Sequence, residues 1–332
     1  MSSSKLIVVL GATGNQGGSV VSSFLDDPGW QVRAVTRNTS SPKAQALAKR
    51  GAEVIQADIS DPSTLPAAFK GAEAIFAVSD FWGLYGDPAN KDKAKPGQPL
   101  NVWARDQETQ QLKNVIDAAA KVPTLERFIL SSLSNATKWS KGKYTHVYHF
   151  DSKANAVDYG KSQHPDLWAK TSIYQAGFFL NNFVTDPFGQ PVKNADGVVQ
   201  FIQPVNPGIE LPLLAAEEDS GPLVKALVQE EPGKNLIGYR EWFTLRQVTA
   251  AFTEATGLKA EVVTVPADQA FQHYPDELKL ELVDTFAYVN EFGYDGGDDS
   301  TIIHPRDLKS PPTLATVQDY LKKQDWSKVF SA

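Results

Sequence analysis

The chain has 332 residues, 42% hydrophobic and 21% charged, which is ordinary composition for a globular protein with a sizeable core. Its 32 Lys and Arg residues against 39 Asp and Glu residues give a net charge of −7, which argues against a protein that coats nucleic-acid phosphates. The absence of cysteine excludes disulfides and thiolate chemistry, and no apolar run approaches the ~20 residues of a membrane span, so we expect a cytoplasmic protein without membrane contact.

Short apolar runs alternate with helical patterns through the first half of the chain. The predicted strands are residues 5–10, 31–36, 53–57, 74–78, 127–131 and 171–175, and the predicted helices are 17–25, 42–50, 63–69, 103–121 and 147–159. Strands that alternate with helices pair in parallel through right-handed crossovers, and nearly continuous apolar strands indicate a sheet covered on both faces. The sequence therefore predicts an α/β fold with a doubly wound parallel sheet.

A glycine-rich loop joins the first predicted strand to the first predicted helix. Its GxxGxxG spacing is typical of Rossmann-type domains of the short-chain dehydrogenases, in which backbone N–H groups and the positive helix end approach a pyrophosphate. The alternative is a turn that only permits tight packing of strand and helix. We predict a dinucleotide site. The predicted contacts in this loop are Gly11, Ala12, Thr13, Gly14, Asn15, Gln16 and Gly17.

The residue after the second predicted strand distinguishes the two nicotinamide coenzymes. An NAD site places a carboxylate there for the ribose 2′-hydroxyl, whereas an NADP site places a cation against the 2′-phosphate. This chain has Arg37 at that position, and Asp26 and Asp27 precede the strand. An arginine can pair bidentately with phosphate, although a solvated surface arginine is the alternative. The sequence predicts NADP(H).

Two further strand ends supply predicted cofactor contacts. Asp58 and Ile59 follow the third strand, where the carboxylate accepts from the adenine amino group and the isoleucine packs on the ring; a turn or cap role for Asp58 is the alternative. Ser79, Asp80 and Phe81 follow the fourth strand, beside the point where ligands sit in open α/β sheets. Residues 83–101 then form a long irregular segment, either disordered or a mobile lid over the site.

The predicted helix over residues 147–159 carries the candidate catalytic residues. His149 and Lys153 lie at positions i and i+4 on one face. In short-chain dehydrogenases a Tyr-x-x-x-Lys pair occupies this place, and here the tyrosine position is His149, which can donate a proton near neutral pH. Tyr148 lies about 100° of helix away from that face. The alternatives are an exposed helical lysine and a packed or solvated histidine.

The sixth strand ends in the last predicted contacts, which are Ala176, Gly177, Phe178 and Phe179. Gly177 permits close backbone approach and Phe178 stacks near the nicotinamide, with core packing as the alternative for the phenylalanines. Beyond residue 177 the alternation loosens and prolines cluster between residues 187 and 222. We predict an NADP-binding domain over 1–177 and a smaller, discontinuous lobe over 178–332, with 215–265 returning to the first domain. Runs at 223–230, 237–239 and 261–265 are candidates for returning to the sheet.

Two other function classes fit poorly. A metal site lacks ligands, because His146 and His149 have no third partner nearby and the other three histidines are scattered. A direct DNA-binding regulator does not fit the net charge of −7 or the lack of a helix-turn-helix pattern.

Five segments resemble the NmrA-like family of atypical short-chain dehydrogenases, which is related to isoflavone-reductase-type enzymes. They are GATGNQGGSV from Gly11, VRAVTRN ending at Asn38, GAEVIQAD ending at Asp58, HFDSK from His149 and AGFFLNN from Ala176. The resemblance implies a Rossmann-type fold and NADP(H) contacts at the positions named above, including Lys153.

The resemblance also implies two possible activities. Some members reduce quinones, imines or conjugated carbonyls with NADPH, which here would mean a small organic substrate. Others lack the catalytic tyrosine and report the NADPH/NADP state to a partner such as a transcription regulator, and this chain shares that lack at His149. We expect a reductase, with a non-catalytic redox sensor as the alternative. A homodimer is compatible with either, and a nuclear location is compatible with the second.

Overall fold

The computed structural model describes residues 4–186 and 189–330; residues 1–3, 187–188 and 331–332 of the predicted domains lie outside the described part. The strands in chain order are β1 (Lys5–Val9), β2 (Trp30–Thr36), β3 (Glu53–Gln56), β4 (Ala74–Ala77), β5 (Arg127–Ser132), β6 (Thr171–Ala176), β7 (Phe178–Phe179), β8 (Val192–Lys193), β9 (Val199–Gln203), β10 (Glu210–Leu214), β11 (Asn235–Gly238), β12 (Glu241–Thr244), β13 (Ala260–Thr264) and β14 (Ile302–Ile303).

The helices in chain order are α1 (Asn15–Leu25), α2 (Pro42–Lys49), α3 (Leu65–Phe69), α4 (Phe81–Gly86), α5 (Leu100–Ala119), α6 (Ala136–Trp139), α7 (Tyr148–Gln163), α8 (Pro165–Trp168), α9 (Asn182–Thr185), α10 (Ala216–Gln229), α11 (Leu245–Thr256), α12 (Ala267–Ala270), α13 (Asp276–Phe292), α14 (Val317–Lys323) and α15 (Trp326–Phe330). Short 3₁₀ turns occupy Pro62–Thr64, Pro88–Asn90 and Pro305–Asp307. In the described ranges, no helix combines the length and the apolar character that crossing a membrane requires.

The main sheet has eight strands in the order β14-β11-β6-β5-β4-β1-β2-β3. Every neighbouring pair in it is parallel. The chain runs outward from β1 to β3, and then returns to the other side of β1 with β4, which creates a switch point between β1 and β4. This topology confirms the predicted doubly wound, Rossmann-type α/β fold.

Alternate side chains of β1 explain why the sheet needs helices on both faces. Ile7 and Val9 belong to a buried cluster that includes residues of α1 and α10, whereas Val8, and Leu10 just after the strand, belong to a second cluster that includes residues of α5. Successive side chains of a strand point to opposite faces, so a strand that is apolar at every position is buried on both. The continuous apolar runs in the sequence therefore reflect strands that are covered by helices on both faces of the sheet.

The C-terminal part of the chain adds two small sheets, β12-β10-β7 and β13-β9-β8. A third buried cluster includes residues of both small sheets together with the rings of Phe183, Phe201, Phe252 and Trp326. The predicted fold class, a main sheet with additional smaller C-terminal structure, is therefore present.

Of the three runs expected to return to the main sheet, only one does so. Residues 237–239 overlap β11, which joins the main sheet beside β6. The prediction for 223–230 is wrong, because most of that run belongs to α10, which packs across the sheet face. The prediction for 261–265 is also wrong, because β13 pairs with β9 in a small sheet. A short apolar run shows burial but not the identity of its partner strand.

The segment over residues 83–101 contains more regular structure than the sequence suggests. Its first residues belong to α4, a 3₁₀ turn follows, and α5 begins at Leu100 rather than at residue 103. The buried Asn90 fixes the turn, since its Nδ2 donates to the Leu84 carbonyl at 2.9 Å. The disordered alternative for residues 83–101 is therefore wrong.

The first helix also differs slightly from its predicted bounds, because α1 begins at Asn15, two residues before its predicted start.

A substitution at Gly177, between β6 and β7, tests how tightly the strands converge at the site. A Cβ there would lie 2.2 Å from the Pro212 carbonyl oxygen and 2.6 Å from that of Gly238. We expect Gly177→Ala to lower the free energy of unfolding by about 1–3 kcal/mol, because backbone on both sides must shift. The matched control is Gly86→Ala, where a Cβ meets open space. Urea unfolding with equal midpoints for the two variants would refute this packing role.

Candidate functional site

The loop between β1 and α1 has the features of a pyrophosphate cradle. Gly11 has φ of +61°, and a Cβ at Gly17 would lie 2.2 Å from the Gly11 carbonyl oxygen, so the fold itself requires both glycines. Gly14 is exposed at the N-cap of α1, no side chain caps the helix, and no acidic residue lies in its first turn. The first N–H groups of the helix are thus available to an anion. This geometry fits a dinucleotide.

Two cations lie near the expected position of the adenosine end. Arg37 is exposed just after β2 and has no hydrogen bond or ion pair to any described residue. By contrast, Arg33 on β2 donates hydrogen bonds to the Glu53 carboxylate and to the carbonyls of Ala68 and Lys70. Sequence reasoning missed Lys43, whose Nζ is 3.4 Å from the Thr13 carbonyl of the glycine loop. The sequence offered one signal for Lys43. Ser41 and Pro42 mark the start of α2, which places Lys43 in the first turn of that helix.

Asp58 has a local structural role after β3. Its Oδ1 accepts from the Ser60 N–H at 2.8 Å, and its own N–H donates to Thr64 Oγ1 at 3.1 Å. These bonds correspond to the turn role that the sequence left open. Ile59 packs on the apolar cluster beneath the sheet, so a contact of either residue with adenine stays a prediction.

A cavity of about 580 Å³ opens at the carboxyl ends of β4, β5 and β6. Its size is typical of a small-molecule site. Its aromatic walls are Phe81, Trp82, Phe150, Phe178, Phe179, Phe271, Phe286 and Tyr294. The predicted site residues that line it are Gln16, Ser79, Asp80, Phe81, His149, Lys153, Ala176, Gly177, Phe178 and Phe179. The predicted residues that do not line it are Gly11–Asn15, Gly17, Arg37, Asp58 and Ile59.

Lys153 is buried at the base of this cavity and pairs with a carboxylate. Its Nζ lies 2.7 Å from Oε1 of Glu108, whose side chain is fully buried, and 3.2 Å from the His149 carbonyl oxygen. Glu108 also accepts hydrogen bonds from Ser79 at 2.8 Å and from Ser152. The exposed-lysine alternative is therefore wrong. Glu108 was missed, although it falls on the apolar face of α5, where a carboxylate needs a partner.

His149 is also held by a buried carboxylate. Its Nδ1 lies 2.8 Å from Oε1 of Glu281, and its backbone N–H donates to the same oxygen at 3.1 Å. The imidazole packs against Trp82 at a centroid distance of 4.9 Å, and 12% of its side chain is exposed. The solvated-histidine alternative is wrong, and the ring is an oriented part of the cavity wall.

Among the described residues, Tyr294 is the tyrosine that lines the cavity. Its hydroxyl donates to the Ala176 carbonyl at 3.2 Å, and burial raises its pKa. Tyr148 and Tyr144 lie outside the cavity, and burial raises the pKa of each. A tyrosine with a raised pKa is a poor acid near neutral pH. No group of three potential metal-ligating side chains occurs within 4–186 and 189–330.

Comparison with known proteins gives consistent matches along the chain. The model of the NmrA-like family matches residues 3–321. The NmrA-like family domain-containing oxidoreductase hkm9 of Aspergillus hancockii is 30% identical over 281 residues, covering 81% of this chain and 78% of that protein.

Two solved structures share the fold. The negative transcriptional regulator NmrA in complex with NADP has a TM-score of 0.71 and 20% identity, over 96% of this chain and 95% of that one; the same regulator is also known in complex with NAD. An Escherichia coli NADPH-dependent quinone oxidoreductase complexed with NADPH has a TM-score of 0.65 and 21% identity, over 95% of this chain and 98% of that one. At this identity the likeness concerns the fold.

Proposed function

Because this chain belongs to the NmrA-like family, we propose that it is an NADP(H)-dependent oxidoreductase that reduces a small carbonyl, quinone, enone or imine substrate. One observation carries the proposal: His149 and Lys153 line a largely apolar cavity at the sheet edge, to which Gln16 of the glycine loop also contributes. Ligands of open α/β sheets bind at this edge. The names of the similar fungal oxidoreductases and the coenzyme complexes of the two solved neighbours support it.

Each part of the coenzyme has a proposed set of partners. The N-terminus of α1 receives the pyrophosphate, and Arg37 with Lys43 receives the 2′-phosphate. Lys153 receives the nicotinamide ribose: an ammonium group has three N–H donors, two of which reach Glu108 and His149, so one remains. When bound, NADPH supplies a hydride.

The cavity selects the substrate mainly by shape and apolar contact. Eight aromatic rings line its mainly apolar walls, so a flat, unsaturated molecule fits better than a charged or sugar-like one. His149 gives a proton to the oxygen or nitrogen of the substrate. Residues 83–101, which follow Trp82 at the rim, supply the proposed lid.

A second candidate function is a non-catalytic NADPH/NADP sensor that binds a regulatory protein. His149 at the tyrosine position supports it, since Lys153 then has no tyrosine to activate and pairs with Glu108. In that reading the ion pair orders α5 against α7.

Spectrophotometry of NADPH oxidation with a quinone, an enone and a cyclic imine separates the two functions. We expect turnover of at least one class, with NADPH preferred over NADH. Failure of the whole panel, together with capture of a partner whose binding responds to the NADP⁺/NADPH ratio, would replace the reductase with the sensor.

A further inference from the structure

Glu281, on α13, reaches across to α7 and contacts the backbone and ring of His149. We propose that Glu281, itself held by Asn101, is a positioning residue that keeps the proton of His149 on Nδ1 and leaves Nε2 for proton transfer to the substrate. The inference rests on the proposed reductase function. It concerns a residue 132 positions away in the chain that does not line the cavity.

The hydrogen-bond pattern favours one position for the proton between the carboxylate and the ring. Oε1 of Glu281 accepts from the His149 backbone N–H at 3.1 Å and faces Nδ1 at 2.8 Å, while Oε2 accepts from Asn101 Nδ2 at 3.1 Å. A carboxylate whose two oxygens already accept from the backbone and from an amide is an acceptor, so the proton between it and the ring belongs to Nδ1. The partner of one ring nitrogen thereby sets the state of the other.

The hydrogen bond from Asn101 to Glu281 leaves the side-chain oxygen of Asn101 without a partner among the described residues. Its side chain is 1% exposed, and Nδ2 donates both to Glu281 and to the Glu277 carbonyl at 3.0 Å. Its Oδ1 is buried without a hydrogen-bond partner in the described structure. A buried unsatisfied acceptor is costly and calls for an explanation, and the orientation of Glu281 supplies one.

Several charged groups surround His149. Lys153 and Asp151 lie on the same helix, Glu281 and Glu277 lie on α13, and Asp80 lines the same cavity at the start of α4. Of these, Glu281 is the carboxylate that contacts the ring. Because α13 also contributes Leu282, Thr285, Phe286 and Val289 to the cavity wall, one helix both shapes the substrate site and orients its proton donor.

The proton balance is simple. The Nε2–H bond of the imidazolium breaks, its electron pair stays on the ring, and the proton forms an O–H or N–H bond on the substrate heteroatom. The substrate gains its two electrons from the NADPH of the proposed function. The neutral ring keeps its proton on Nδ1 against Glu281 and regains the one on Nε2 from water.

The chain offers a matched control one helical turn away. Asp284 binds His146 in the same way, with Nδ1 at 2.7 Å and the backbone N–H at 3.2 Å from one oxygen, but neither residue lines the cavity. His164 provides the opposite reference, because its Nε2 faces Asp117 at 2.7 Å. His149 and His146 are therefore both expected in the Nδ1–H form, and His164 in the Nε2–H form.

The test is two-bond ¹H–¹⁵N NMR of histidine-labelled protein at a pH where the rings are neutral, with His149→Asn to assign the signal. We expect the Nδ1–H form at His149 and the Nε2–H form at His164. Glu281→Gln is expected to move His149 toward Nε2–H, whereas Asp284→Asn changes His146 alone. With the best substrate, Glu281→Gln is expected to lower kcat about 10- to 100-fold with KM within about twofold, and Asp284→Asn to leave kcat unchanged.

The wild-type spectrum decides the matter even if Glu281→Gln does not fold. A neutral His149 in the Nε2–H form, or a spectrum unaltered by Glu281→Gln, overturns the inference. The spectrum needs no substrate, so the positioning of His149 is measured whether or not the protein turns over any substrate in the panel.

Discussion

Lys153→Met is expected to lower the free energy of unfolding by about 3–5 kcal/mol, because it leaves the fully buried Glu108 carboxylate without its cation. The side chains are similar in length, so loss of packing contributes little. The same variant is expected to reduce NADPH affinity about 10- to 100-fold through loss of the proposed ribose contact. Urea unfolding followed by circular dichroism measures the first effect, and coenzyme titration measures the second.

A double variant separates the structural role of Lys153 from its functional one. Adding Glu108→Gln to Lys153→Met removes the unpaired charge but keeps hydrogen-bonding atoms for Ser79 and Ser152, so most of the lost stability is expected to return. Coenzyme affinity is expected to stay low. The control is Lys161→Met, at an exposed position of the same helix, with an expected change within about 0.5 kcal/mol. Full recovery of affinity in the double variant would show that Lys153 serves the fold alone.

Arg37→Glu is expected to reverse the coenzyme preference. Arg37 is exposed and makes no hydrogen bond or ion pair with the described residues, so its loss costs little stability. A carboxylate there repels the 2′-phosphate and offers an acceptor to a 2′-hydroxyl. NADPH affinity should fall at least about 100-fold, while NADH affinity stays the same or improves.

The control for this prediction is Arg50→Ala. Arg50 is another exposed arginine, which follows the last residue of α2 and donates a hydrogen bond to Ser22. It should leave both affinities unchanged. An equal loss of NADPH affinity in the two variants would mean that overall charge, rather than the position after β2, governs binding.

The features that could be predicted from the sequence are those whose residues lie close together in the chain. The strands of the main sheet are short apolar runs because both faces are covered, and the glycine loop is recognisable because its residues are adjacent in the chain. Lys153 and His149 were identified by their spacing on one helix, and both line the cavity. These features depend on neighbours within about ten residues.

The carboxylates that hold these two side chains could not be predicted in the same way. Glu108 precedes Lys153 by 45 residues, and Glu281 follows His149 by 132, so each pair exists only after α5 and α13 have packed against α7. A buried carboxylate on an apolar helix face shows that a cation or donor is near, but not which one. The same limitation explains why residues 261–265 were assigned to the wrong sheet.

Isothermal titration of the wild-type protein with NADPH and with NADH tests the central claim most directly. With an exposed arginine after β2 and an uncapped α1 beside the glycine loop, NADPH should bind at least about tenfold more tightly than NADH. Equal affinity for the two coenzymes, or binding of neither, would contradict it.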